Sequence, residues 1–297
     1  MTDYISAYSR SGQLFIPRLF QGFPEIKEAL MSNKMQAAFM VAPMAIALRA
    51  QGVPVKIVYL GHRYGSAVVV QKDGPVKTFA DLKGKVVAVP SRFSDERLIL
   101  FRAMKINGMK PSDIHLVEMA PPDVAGALAA GAIDAFSMGE PFPSQSEMSG
   151  RGRVLFHARE YWPDYMSCVL VVRQDVIDQR PEAVQVLVDG VARSGLWLEE
   201  KERRRAHRTQ AADFVGRYYY RQDPKLLRWA LLKPEDRVMY EPLSPRKKDF
   251  DLVTQLMRET GVLDRDIAFE EYVDIRFAEG AQGQRAWKYE AGWAKAE

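Results

Sequence analysis

The chain has 297 residues, which is enough to bury a substantial core in one large domain or two smaller ones. Its net charge of +4 comes without a basic and aromatic motif, so we expect no nucleic-acid partner. The single cysteine, Cys168, excludes an internal disulfide and a cysteine-based metal cluster. No apolar run reaches the length of a membrane-spanning helix, and the first residues lack the apolar core of a signal peptide.

The first third of the chain predicts strands that are separated by short helices and loops. Pro24 suits the first turn of a helix over residues 23–33, because an amide hydrogen is not needed there. Residues 42–44 break the first strand and open a second helix, rich in small residues, at residues 45–51. A glycine-bounded polar loop covers residues 61–66. Short apolar runs predict strands at residues 37–41, 55–60 and 67–71.

Residues 79–142 alternate strands and helices at short intervals. Ser94 is a suitable N-cap for the first of these helices, because its hydroxyl can accept a hydrogen bond from an amide of the first turn. The alternation predicts a parallel sheet whose ligand-binding loops, at residues 90–94 and 139–142, lie beyond the carboxyl ends of the strands. The predicted strands are residues 86–89, 115–119 and 133–138.

The second half of the chain is predicted to be mainly helical after one apolar strand at residues 168–173. A long helix with one buried face starts at Pro181. The charge run at residues 201–208 is interpreted as a solvated helix face, because no glycine-rich or aromatic partner for a phosphate site is near in sequence. Residues 218–220, three consecutive tyrosines, are expected to form the packing face of a helix.

The sequence lacks the motifs of the common catalytic centres. It contains no nucleophile elbow, phosphate-binding loop or zinc-protease motif, and its four histidines have no metal-ligand spacing. Cys168 heads an apolar strand, which favours a buried thiol over a nucleophile. Glu140 follows a predicted strand and could either bind a cation or substrate amine, or brace its loop. The pattern predicts binding rather than catalysis, with no catalytic residue, cofactor or metal.

Several segments of the chain resemble one group of transport proteins. Residues 79–94 contain DLKGK followed by VVAVP, and residues 121–142 contain AGAIDAF followed by GEPF, in the order and spacing of that group. The chain resembles the substrate-binding proteins of ABC importers for nitrate, sulfonates, taurine and bicarbonate, a group that includes relatives binding a pyrimidine precursor of thiamine. Further similar segments are residues 23–30, 37–48, 61–70, 161–173 and 245–277.

The resemblance implies an α/β fold of the two-lobed, type II periplasmic-binding-protein kind, in which each lobe is a mostly parallel sheet flanked by helices. Residues 1–87 with 169–297 would form lobe one and residues 88–168 lobe two, with crossings near residues 85–90 and 167–172. The lobes would capture a small anionic or sulfur- or nitrogen-containing solute, such as a sulfonate, nitrate, bicarbonate or a pyrimidine, by hinge closure. The implied partner is an ABC permease in the membrane, and we expect a monomer.

The resemblance also implies a binding site built from loops of both lobes. The chain departs from the nitrate and bicarbonate branch where Met40, Ser66 and Glu96 replace Trp, Gln and His. These changes weaken an oxyanion pocket, although Arg92 or Arg63 could compensate, and they favour a larger organic ligand stacked on an aromatic ring. The expected ligand-binding residues are Met40, Pro43, Met44, Arg63, Gly65, Ser66, Ser91, Arg92, Phe93, Ser94, Glu140, Phe142, Trp162 and Tyr165.

Two alternatives to transport stay open at this point. One is an enzyme of cofactor biosynthesis on the same fold, for which the candidate reactive groups are Glu96, Glu140, Tyr165 and Cys168. The other is a cytoplasmic sensor that passes ligand-driven closure to a protein partner. The resemblance implies a periplasmic or membrane-associated extracytoplasmic location, whereas the absence of a signal-peptide pattern leaves a cytoplasmic location open.

The family's first strand, which is central in the lobe-one sheet, has no counterpart in this chain. Without it, the sheet would expose unpaired strand edges, which is a costly arrangement. Three explanations follow. The sequence starts late through truncation or misassignment, residues 1–15 replace the strand, or the protein is a cytoplasmic derivative with a changed function.

Overall fold

The computed structural model describes residues 15–218 and 222–282. Two larger β-sheets organise the fold of these residues, and a third sheet consists of two short antiparallel strands, Arg63–Tyr64 and Val238–Met239. The strands are β1 (Ala37–Val41), β2 (Val55–Leu60), β3 (Arg63–Tyr64), β4 (Ser66–Gln71), β5 (Val86–Val89), β6 (His115–Glu118), β7 (Ala135–Gly139), β8 (Gly152–His157), β9 (Cys168–Arg173) and β10 (Val238–Met239). The α-helices are α1 (Phe23–Met31), α2 (Ala42–Ala50), α3 (Asp95–Ile106), α4 (Val124–Ala129), α5 (Phe142–Met148), α6 (Ala158–Tyr161), α7 (Gln174–Gln179), α8 (Pro181–Leu198), α9 (Arg204–Tyr218), α10 (Pro224–Leu232), α11 (Lys247–Glu259), α12 (Phe269–Tyr272) and α13 (Arg276–Gln282). The predicted α/β class is confirmed.

The first sheet has the strand order β1-β9-β2, and β9 is antiparallel to both neighbours. The prediction of a mostly parallel sheet is wrong here, because β9 returns from the second sheet and runs against the strands on either side. Among the described residues β1 has β9 as its one neighbour in this sheet. The idea that residues 1–15 replace the family's first strand concerns residues outside the described ranges, apart from Phe15, which packs against the core.

The second sheet has the order β6-β5-β7-β4-β8. Strand β5 is parallel to β6 and β7, which confirms the alternating unit predicted at residues 79–142. Strand β4 is antiparallel to β7 and β8, so this sheet is mixed as well. Helix α3 begins where the sequence predicts, and the Ser94 hydroxyl accepts a hydrogen bond from the Arg97 amide at 3.3 Å.

The chain crosses between the sheets earlier than predicted. It leaves the first sheet after β2 and enters the second at β4, so the first crossing lies at residues 61–65 rather than near residues 85–90. The predicted position is wrong because the apolar run of β4 pairs with β7 and β8 rather than with β2. The return lies between β8 and β9, beside the predicted crossing at residues 167–172. The division into lobes stays a prediction, and we propose to move its first boundary to this crossing.

Helix α9 carries the charge run, and one of its arginines is a core residue. Arg208 is fully buried, forms an ion pair with Glu199 and donates to the carbonyl groups of Leu231, Glu235 and Val238. The prediction of a solvated face is therefore wrong for Arg208, because its guanidinium satisfies carbonyl groups that several elements leave unpaired. Tyr218 is 64% exposed, against the predicted packing face, and residues 219–220 lie outside the described ranges.

In the described part of the chain, we find no helix whose length and apolar character would allow it to cross a membrane.

Candidate functional site

Four buried polar side chains meet where the two sheets join, and we call them the junction cluster: Ser66, Asp95, Glu96 and Tyr165. The Ser66 hydroxyl donates to the Glu96 carboxylate at 3.0 Å and lies 3.1 Å from the Tyr165 hydroxyl. Ser66 starts β4 and Glu96 lies in the first turn of α3, so both belong to the second sheet and its helices. Tyr165 comes from the return crossing.

Local backbone geometry places the side chains of Ser66, Asp95 and Glu96 in the junction cluster. Tyr64 and Gly65 have positive φ angles of 61° and 89°, which turn the chain sharply between β3 and β4 and direct Ser66 inward. A side chain at Gly65 would bring its Cβ to 3.2 Å from a methyl group of Val238. The Ser94 cap fixes the start of α3 and therefore holds the two acidic residues that follow it in the first turn.

The cluster holds two carboxyl groups that are almost completely withdrawn from water. Burial raises the pKa of Asp95 well above its ordinary value, and the adjacent Glu96 raises it further. The backbone amide of Ala42, at the start of α2, lowers the pKa of Asp95 in part. This amide lies outside hydrogen-bond geometry with the Asp95 carboxyl oxygens. Burial also raises the pKa of Glu96, against the smaller effect of the Ser66 hydroxyl. Because Ala42 follows β1, the carboxyl of Asp95 faces the first sheet while its backbone belongs to the second.

Three carboxyl oxygens of the cluster lack a hydrogen-bond partner among the described residues: both of Asp95 and Oε2 of Glu96. Burial, together with the nearby carboxyls of Asp95 and Glu96, raises the pKa of Tyr165 well above its usual value. The same causes raise the pKa of the Cys168 thiol to about 12. Burial is the larger cause in both cases. The site can therefore accept hydrogen bonds or a positive charge, and it offers no activated thiolate.

The structure brings several of the expected ligand residues to this junction. Ser66 and Tyr165 are members of the cluster, and the Trp162 ring centroid lies 5.5 Å from that of Tyr165. The start of α2, with Pro43 and Met44 buried, and the end of β1, with Met40 buried, lie beside it through Ala42. Their role in binding a ligand stays a prediction.

The loop after β5 divides into structural and exposed residues. The Ser91 hydroxyl accepts a hydrogen bond from the Phe93 amide at 2.9 Å, and Ser94 caps α3, so both serine hydroxyls shape the loop. Arg92 is exposed, and its guanidinium lies 4.7 Å from the centre of the half-buried Phe93 ring. Phe142, which begins α5, packs against the core of the second sheet.

Arg63 has a structural role rather than the predicted ligand-binding one. Its guanidinium donates to the carbonyl groups of Pro242 at 2.7 Å and Asp164 at 2.8 Å, and it forms an ion pair with Asp249 at 2.7 Å. The side chains of Arg63 and Asp249 are each only 3% exposed. The group is committed to joining the first crossing to the C-terminal part of the chain, which leaves it unsuited to a solute anion.

Glu140 makes the contacts of a loop brace, and its alternative role in ligand binding stays a prediction. Its carboxylate forms an ion pair with Arg237 at 2.7 Å and accepts a hydrogen bond from the Ser144 amide at 3.3 Å. Arg237 also pairs with Glu147 at 2.7 Å. The sequence gives no signal for Arg237, because it lies far along the chain in a segment without a motif.

A cavity of about 420 Å³ lies beside the junction rather than at it. It is lined by β6, α3 and the end of α11, and its charged side chains are Arg92, Arg97, Glu118 and Glu259. None of the four cluster residues lines this cavity, and all four side chains are buried in the arrangement described. Sequence reasoning assigned Asp95 only to the helix start, whereas it named Glu96 both as a changed pocket position and as a candidate reactive group. Two adjacent acids directly after a strand-end loop were the available signal for Asp95.

The amino-acid sequence is similar to those of curated transport proteins. The taurine-binding periplasmic protein of Escherichia coli K12 is 29% identical over 196 residues, which cover 62% of this chain and 60% of that protein. The nitrate import ATP-binding protein NrtC of Synechocystis is 25% identical over 209 residues, covering 64% of this chain and 31% of NrtC. The chain thus spans less than two thirds of these curated relatives.

Two solved structures show the same fold. The ligand binding component of an ABC-type import system from Staphylococcus aureus, solved with zinc bound, has a TM-score of 0.82 at 23% identity and covers 94% of this chain and 92% of its own. The desulfurization enzyme DSZB has a TM-score of 0.61 at 16% identity, covering 84% and 86%. The model of the NMT1-like family matches residues 3–214. The chain therefore belongs to the NMT1-like family.

Proposed function

We propose that this protein is the solute-binding component of an ABC importer. It captures a small solute, of the sulfonate, nitrate, bicarbonate or pyrimidine-like kind, between two α/β lobes and delivers it to a permease in the membrane. The relatives that carry the names of taurine-binding, sulfonate-binding and nitrate-binding proteins support the proposal. The observation that carries it is the junction cluster, where buried polar groups lie between the sheets with unsatisfied hydrogen-bonding capacity.

Hinge closure follows from the position of the cluster. The two sheets are joined by the crossings at residues 61–65 and 158–167, and the cluster lies beside both. Because its four side chains are buried, a solute can reach them only when the lobes move apart. Closure then brings the start of α2 against the start of α3 and excludes water from the bound solute.

We also propose a periplasmic location and a monomeric state, with no nucleic-acid partner. The location is supported by the similarity to a taurine-binding periplasmic protein. A monomer suits delivery, because one closed binding protein presents both lobes to one permease.

Binding without chemistry is favoured over catalysis. A thiol with a pKa of about 12 forms almost no thiolate near neutral pH, so Cys168 is a poor nucleophile. Glu140 is held by Arg237, which removes it from the candidate reactive groups. The DSZB likeness shows a fold that an enzyme also uses, and at that identity it says nothing about activity.

A thermal-shift screen tests the proposal. Taurine, isethionate, nitrate, bicarbonate and 4-aminopyrimidine are added separately, and a solute at about 100 times its Kd should stabilise the protein by about 2.7 kcal/mol. Calorimetry confirms the binding, and mass spectrometry should recover the solute unchanged. The proposal fails if no solute shifts the melting midpoint, and a converted solute would support the enzyme reading.

A further inference from the structure

We infer that the solute carries a cationic amine or amidine-type group, which binds Asp95 and Glu96 at the junction cluster. The inference rests on the proposed function and narrows its solute class. It separates amino-sulfonates and aminopyrimidines, which have such a group, from nitrate and bicarbonate, which have none.

The first argument is the state of the two carboxyl groups. Asp95 is 0% exposed and Glu96 is 3% exposed. The Ala42 amide acts on Asp95, and the Ser94 hydroxyl and the Glu96 backbone act on Glu96, yet three of the four carboxyl oxygens have no partner in hydrogen-bond geometry among the described residues. Buried polar atoms are nearly always hydrogen-bonded in folded proteins, so such a group marks a place where something else supplies the donors. An ammonium or amidinium group offers two or more N–H donors together with the opposite charge.

The second argument is the charge that surrounds them. Within the described residues no Lys, Arg or His nitrogen lies within ion-pair distance of either carboxylate. Arg63 is committed to Asp249, and Arg92 is exposed. The other titratable groups that face the carboxyls are Tyr165 and Cys168, and both add negative charge when they ionise. An anionic group placed here would have no compensating cation among the described residues, and it would raise the pKa of both carboxyls further.

The third argument is that the carboxyls lie between structural units rather than inside one. Asp95 belongs to α3, which follows β5 of the second sheet, while the nearest polar backbone group acting on it is the Ala42 amide of α2, which follows β1 of the first sheet. A cation bound there would contact both units at once. It would therefore favour the closed arrangement, as a captured solute must.

Matched pairs of probes test the charge preference. Benzamidine and benzoate share a ring and differ in the charge of its substituent, and taurine and isethionate share a sulfonate and differ in ammonium against hydroxyl. Calorimetry should show that the cationic member of at least one pair binds about tenfold more tightly, which is the scale of one charge-assisted interaction. Asp95→Asn should remove most of that preference.

Two results of this titration would overturn the inference and leave the proposed function standing: anionic members that bind as tightly as their partners, or a preference that survives Asp95→Asn. If none of the four probes binds, and nitrate and bicarbonate do not bind either, the proposed function fails with it. If a divalent metal ion binds and none of the four organic probes does, the inference is also overturned, because the two carboxyls would then bind a metal cation rather than an amine.

A second measurement needs no ligand. At pH 8, Asp95→Asn should raise the melting midpoint of the unliganded protein. The buried carboxyl of the parent protein must either carry an unpaired charge or bind a proton that the unfolded state has released at this pH, and the amide has neither cost. Asp249→Asn is the matched control and should lower the midpoint, since its carboxylate holds Arg63 and Arg246. Glu96→Gln serves as a second test variant. If both test variants lower the midpoint as the control does, the carboxyls are structural and the inference is wrong.

Discussion

At the scale of single residues, the two arginines near the junction have opposite surroundings. Arg63 is buried, and each of its three contacts joins it to a different part of the chain. Arg92 is exposed and rests on one aromatic ring. Burial with full hydrogen bonding makes the first a structural element, whereas the second contributes little to stability.

Replacing these arginines should separate their roles. Arg63→Met should destabilise the fold by about 3–5 kcal/mol, because it leaves the Asp249 carboxylate buried with the loss of a partner. Arg92→Met is the control and should stay within about 0.5 kcal/mol of the parent protein. Urea unfolding gives both values, and equal destabilisation by the two variants would contradict the assignment.

Two single residues, Asp95 and Glu96, should also make the stability of the protein depend on pH. The folded pKa values of Asp95 and Glu96 are raised above their ordinary values of 3.8 and 4.5, so the folded state holds protons more tightly than the unfolded state. The stability that these two carboxyls contribute is fully present at pH values below their ordinary pKa values. It is lost as the pH rises through their raised pKa values in the folded state. Other groups titrate as well, so the difference between the parent and Asp95→Asn isolates this effect.

We expect the parent protein to lose stability relative to Asp95→Asn as pH rises from 5 to 8, measured by chemical unfolding at each pH. A difference that stays constant over this range would show that Asp95 does not titrate with a raised pKa.

At the scale of elements, α3 and β5 could be predicted because their signals are local. An apolar run, a serine cap and two acids in the first turn suffice to place the strand end and the helix start. Strand β4 has an equally clear apolar run, but its sheet could not be predicted, since pairing partners distant in sequence decide that. For the same reason the burial of Arg208 could not be predicted, because its partners include Glu199 and the carbonyl groups of three later residues.

Two helical glycines test the packing of elements. A Cβ at Gly195 in α8 would lie 2.6 Å from the carbonyl oxygen of Tyr240, whereas one at Gly126 in α4 would have no neighbour within 4 Å. Gly195→Ala should therefore destabilise by about 1–3 kcal/mol through overpacking. Gly126→Ala should stabilise by about 0.5–1 kcal/mol through its helix propensity. Thermal unfolding measures both, and changes of the same sign would contradict this packing.

At the scale of the whole molecule, the buried cluster requires motion. The four cluster residues are buried in the arrangement described, so a solute from the solvent can contact them only after a rearrangement. The unliganded protein should therefore populate an open form in which the lobes separate at the two crossings.

Small-angle scattering should show a smaller radius of gyration with a binding solute than without it. Asp95→Asn, titrated with the same solute, should show the smaller value only at higher concentration if the solute is a cation. An identical scattering curve with and without a solute that calorimetry shows to be bound would contradict hinge closure.

The sequence by itself determined the α/β class, the alternating unit at residues 79–142 and the family, because strand runs, caps and short motifs are local features of the chain. The tertiary structure decided the mixed sheets, the crossing at residues 61–65, and the contacts of Arg63 and Glu140. It also decided which acidic residues lack a partner. Partners and burial depend on segments far apart in the sequence that meet only when the chain folds, so no local pattern encodes them.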